Sequence, residues 1–119
     1  MSRAITYRLF AAAFLAATVY HLIGATGLAF HEVPQWRHAL WIPIDGFMAW
    51  GFWGLQPWLG VPLVVITAWS FYSHGWLAFL EWRSTGRFDW PSLAVIVLLP
   101  AMLARVICDT RANRSLAVR

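Results

Sequence analysis

Residues 61–80 read VPLVVITAWSFYSHGWLAFL, twenty residues without one charged side chain. A helix needs about 20 mostly apolar residues to cross the hydrocarbon core of a bilayer, so this stretch reads as a membrane span. It also carries Thr67, Ser70 and His74, and a histidine at that depth calls for a partner.

The same reading extends to both sides. Leu9 to Phe30 is a second uncharged run, and Trp36 to Leu55 a third, interrupted by Pro43 and Asp45. The turn GLQPWLGVP leads into the stretch quoted above, and Trp90 to about Ile107, with Pro100 inside it, completes the set. Backbone groups in lipid must be satisfied within the segment, and the alternation of a β-barrel strand is missing. The expected fold is all-α, an integral membrane four-helix up-down antiparallel bundle. It forms one transmembrane domain over 1–119, with helices at about 9–30, 36–55, 61–81 and 90–108.

Composition agrees. Of 119 residues, 61% are hydrophobic and 12% charged, about half the charged share of a soluble domain. The nine basic residues are all arginine and sit at chain ends and in short connections. The net charge of +4 is therefore read as membrane topology and not as a nucleic-acid surface. A single cysteine, Cys108, leaves no partner for an internal disulfide.

Arg3 and Arg8 precede the first run, which is too long for the core of a signal peptide and is read as a retained span. With four crossings, Arg111, Arg114 and Arg119 fall on the same side as Arg3 and Arg8. On the opposite side Arg37, Arg83 and Arg87 are offset by Glu32, Glu81 and Asp89. The basic excess places both termini in the cytoplasm of a bacterial-type inner (plasma) membrane. Trp36, Trp82 and Trp90 then mark the outer interface, and Trp53 and Trp58 the inner one. Pro34 and Pro91 suit first turns, with Asp89 near the cap of the last helix. Pro43 and Pro100 are expected to kink the helices that contain them.

Depth picks out the chemistry. At about 1.5 Å per residue, His21 lies roughly 14 Å below the outer end of the first helix, and Asp45 a similar distance below the start of the second. His74 lies roughly 9–12 Å below the outer end of the third. His21, Asp45 and His74 are therefore expected to meet in one pocket opening outward. His38, two turns from Asp45 on the same face, is a fourth candidate nearer the surface. Thr67, Ser70, His74, Ala78 and Glu81 form one small, polar stripe, and Thr18, Gly24, Ala25 and Leu28 share the face of His21.

Four uses fit this set. Imidazole and carboxylate suit a divalent transition metal, with His21, Asp45, His74 and His38 as ligands, although no two of them stand one turn apart. Axial ligation of a b-type haem by His21 and His74 is the second use. Proton exchange between Asp45 and a histidine, alone or with a quinone, is the third. The fourth is hydrogen bonding between helices, in a structural or assembly subunit of a larger membrane complex or homo-oligomer. His31, in the outer connection, is a solvated neighbour of the site. The inner half carries almost no buried charge, which disfavours a continuous ion path.

Overall fold

In the computed structural model the described residues are 2–28 and 33–117, with side chains as far as Asn113. Phe30, His31, Glu32 and Arg119, which enter the readings above, lie outside them. Among the described residues the chain is helical, without strands: α1 Arg3–Ala25, α2 Gln35–Trp53, α3 Gly60–Thr85 and α4 Trp90–Ala117, with a 3-10 turn at Pro57–Leu59 ahead of α3.

Helices α1, α3 and α4 are long and apolar enough to cross a membrane. Helix α2 is not among them. Its 19 residues reach about 28 Å, close to the hydrocarbon thickness, but Gln35, Arg37, His38 and Asp45 lower its hydropathy. The helix that falls short is the one carrying two of the candidate site residues.

The ends of the helices have local causes. Ser2 caps α1 by accepting from the Ile5 N–H at 3.4 Å. The expected run to Phe30 is corrected, because α1 ends at Ala25. Gly27 adopts φ +73, a left-handed conformation that glycine takes without steric cost. Its N–H donates back to the Gly24 carbonyl at 3.2 Å, and the Thr26 hydroxyl donates to the Ile23 carbonyl at 2.6 Å. At the start of α4 the Asp89 carboxylate accepts from the Ser92 N–H at 3.1 Å, the cap expected there. Helix α4 also outruns its apolar stretch. Arg105 grips Asp109 one turn on, through contacts of 3.2 Å from both Nε and a terminal nitrogen, which favours continuation of the helix. Pro43 and Pro100 both lie inside continuous helices.

The chain divides into two compact units, Met1–Pro57 and Trp58–Arg119. The first is an antiparallel hairpin of α1 and α2. One end is packed by Tyr7, Ala11 and Phe14 against Met48, Ala49 and Phe52, all buried. The Phe52 ring is the hub, 5.6 Å from Tyr7, 5.5 Å from Phe10 and 5.6 Å from Phe14, centroid to centroid. Such close, specific contacts matter in lipid, where acyl chains are as apolar as the side chains and packing replaces the hydrophobic drive. The second unit pairs α3 with α4 around Leu63, Leu99, Met102 and Val106, and adds the buried polar residues Thr67, Ser70 and Ser92. The outward faces of all four helices are rich in exposed Leu, Val, Phe and Trp.

Candidate functional site

The polar end of the first hairpin is built from α1 and α2. Because α1 stops at Ala25, His21 sits only one turn from its end. It fills the gap of two turns between His38 and Asp45 on α2. The His21 ring lies over Trp41, which falls between those two in sequence, at 6.2 Å and 18° between planes. Tyr20 presents its ring edge-on to His21 at 5.2 Å and to His38 at 5.8 Å. Gly24 completes the slot, since a Cβ there would stand 2.6 Å from Cγ and Nδ1 of His38.

Within this frame the Nδ1 atoms of His21 and His38 are 2.9 Å apart. The other nitrogen of His21, Nε2, is 3.6 Å from Oδ2 of Asp45. His38 and Asp45 are almost wholly buried, and the His21 side chain is 16% exposed. The result is a line of three groups, carboxylate, imidazole, imidazole. At 2.9 Å the two Nδ1 atoms form a hydrogen bond, so one carries a proton and the other offers a lone pair. Two protons cannot occupy that contact. Asp45 at 3.6 Å is beyond hydrogen-bond length.

This geometry bears on the expected ligand set. Among the described residues no group of three or more His, Cys, Asp or Glu side chains is placed to hold a metal ion. The reason is visible at His21. His38 faces one nitrogen and Asp45 the opposite one, so the two do not converge with His21 on a single ion. A haem iron takes one nitrogen of its axial histidine, and each nitrogen of His21 already faces a protein group.

His74 belongs to the second unit. Its Nδ1 is 3.0 Å from Oγ of Ser92, whose own N–H is held by Asp89. Thr67 and Ser70, on the expected polar stripe, are buried in the same unit. Sequence reasoning does not single out Ser92, although a serine in the first turn of α4, fixed by a cap at Asp89, is well placed to face α3. It also understates His38. The signal for His38 is Gly27, whose role as a helix stop brings His21 to the level of α2's first turns.

Comparison with protein-family models, with curated proteins and with solved structures gives no match.

Proposed function

We propose that this is a four-span protein of a bacterial-type inner (plasma) membrane, both termini cytoplasmic, whose first hairpin takes up and passes a single proton. The observation carrying this reading is the 2.9 Å contact between Nδ1 of His21 and Nδ1 of His38. A proton delivered to His38 crosses that hydrogen bond to Nδ1 of His21. Loss of the proton from Nε2 of His21 toward Asp45 then restores the neutral ring. Each imidazole accepts on one nitrogen and releases from the other, so charge moves while the rings stay in place. The second transfer takes closure from 3.6 Å to hydrogen-bond length, about 2.7–3.2 Å. In a low-dielectric setting a lone carboxylate costs several kcal/mol, and the proton passed from His21 neutralises it.

Helix α2 needs an explanation under this topology, given its lower hydropathy. Its polar side chains His38 and Asp45 are turned onto α1, while Leu40, Phe47 and Trp50 face outward. A helix that hides its charge on a partner can sit in lipid where an isolated one would not.

The reading is tested by nitrogen NMR of 15N-histidine-labelled protein in detergent micelles or nanodiscs across pH. His21 and His38 are expected to titrate as one coupled unit that takes one proton, with both resonances displaced in Asp45→Asn. Independent titration of the two rings, each like a solvated imidazole, sinks the proposal and leaves hydrogen bonding between helices as the role of these residues.

A further inference from the structure

The same two Nδ1 atoms have a second chemical use. They flank one point between the rings, filled in the hydrogen bond by a single hydrogen. We propose that His21 and His38 form a two-coordinate site for a monovalent soft cation, Cu(I), which takes the place of that hydrogen.

Three observations support this. First, imidazole nitrogen is a good ligand for copper, and a filled-shell monovalent copper ion is satisfied by two donors in line, whereas zinc needs four. The absence of any three-residue metal group among the described residues therefore does not bear on it. Second, Asp45 stands behind His21, on Nε2, the nitrogen not used for the ion. A carboxylate on that side orients a ligating histidine and fixes its tautomer once the 3.6 Å gap closes to hydrogen-bond length. Third, the charge balances. With Asp45 ionised, the two neutral rings plus Cu(I) carry no net charge. A divalent ion would leave a buried positive charge without compensation.

The exchange is written simply. The ring that carries the Nδ1 proton gives it up and takes one on Nε2, a change of tautomer with no net loss of protons, and each Nδ1 of the two neutral rings then donates its lone pair to copper. No electron is transferred, because copper enters as Cu(I). Metal–imidazole bonds of about 2 Å in line ask the nitrogens to separate by roughly 1 Å from the 2.9 Å seen here. Gly24 lies directly against the His38 ring, and a shift of His21 away from His38 carries its Nε2 toward Oδ2 of Asp45, 3.6 Å away.

The site shares its atoms with the proton reading but does not depend on it. The test uses the full chain in detergent, in a Cys108→Ser background so that the exposed thiol does not compete. Under anaerobic reducing conditions, Cu(I) is offered as its bicinchoninate complex and transfer is followed by loss of colour. The expected result is one copper taken per chain and an X-ray absorption spectrum with two nitrogen neighbours. His38→Ala is expected to abolish transfer, and Asp45→Asn to weaken it by about 10–100-fold, as outer-shell losses do. Helicity and elution volume establish that each variant is folded. If His38 fails to fold as alanine, His38→Gln, which keeps bulk and polarity, serves in its place. Copper uptake that survives loss of His38, or no uptake at all, overturns the proposal. Failure here with coupled NMR titration intact removes the copper site alone. Copper binding without coupled titration removes the proton reading alone.

Discussion

Replacing Gly24 by alanine is the sharpest test of how the site is built. The added Cβ would lie 2.6 Å from Cγ and Nδ1 and 2.7 Å from Cδ2 of His38. Ordinary contact begins near 3.4 Å, so the ring must recede by the difference between 3.4 and 2.6, about 0.8 Å. His38 is 3% exposed, with Tyr20 edge-on to it and His21 beyond it, so retreat disturbs the Nδ1 contact. Overpacking of this kind costs about 1–3 kcal/mol, and an imperfectly satisfied buried nitrogen adds about 1–3 kcal/mol. Against this, alanine gains about 1 kcal/mol over glycine inside a helix. The net expectation is a loss of about 1–5 kcal/mol by those same terms. Reversible unfolding in mixed SDS and mild-detergent micelles measures the loss, and histidine NMR shows whether the coupling survives. A variant at least as stable as wild type, with both histidine signals in place, would falsify the packing argument. Gly24→Ser should be worse than Gly24→Ala if volume is the cause.

Other outcomes follow from single contacts. Phe52→Ala removes a ring that touches Tyr7, Phe10 and Phe14 and should cost toward the lower end of about 3–5 kcal/mol in the same unfolding assay, since lipid softens the transfer part. A double-mutant cycle of His74→Ala and Ser92→Ala should return a coupling of about 0.6 kcal/mol, the usual worth of a hydrogen bond between membrane helices; zero coupling would show the 3.0 Å contact to be incidental. Asp89→Ala should destabilise by about 1 kcal/mol through loss of the cap on α4, while Asp89→Ser should recover most of it. In spheroplasts and inverted vesicles, a membrane-impermeant maleimide should label a cysteine placed at Arg111 only from the cytoplasmic face; labelling from outside reverses the topology.

Much of the helical layout is legible from composition and run length, because an uncharged stretch of twenty residues has few other fates. Helix α4 begins at Trp90 as expected, since Asp89 and Pro91 mark that start chemically. Register is harder to read. Carrying α1 as far as Phe30 sets His21 level with Asp45 and His74, whereas a stop at Gly27 brings it beside His38. An apolar count cannot see such a stop, because the residues beyond Gly27 stay apolar. The reverse happens in α4, where the polar Arg105 and Asp109 look like an ending but reinforce the helix through their own pairing. Among the candidate site residues, sequence directs Asp45 toward a histidine, and the structure puts His21 beside it. Sequence does not say which nitrogen the carboxylate faces, and that detail decides between a shared metal ion and a line of groups.

Asp45 also bears on how the chain is made. The contact described for it comes from His21, which precedes it in the same unit, Met1–Pro57. During synthesis, α1 has therefore already emerged when α2 leaves the ribosome. Under the proposed topology α2 enters lipid as one half of a pair, its carboxylate turned onto His21 from the outset. The order of synthesis thus makes α1 the escort of a helix whose own hydropathy would not carry it in.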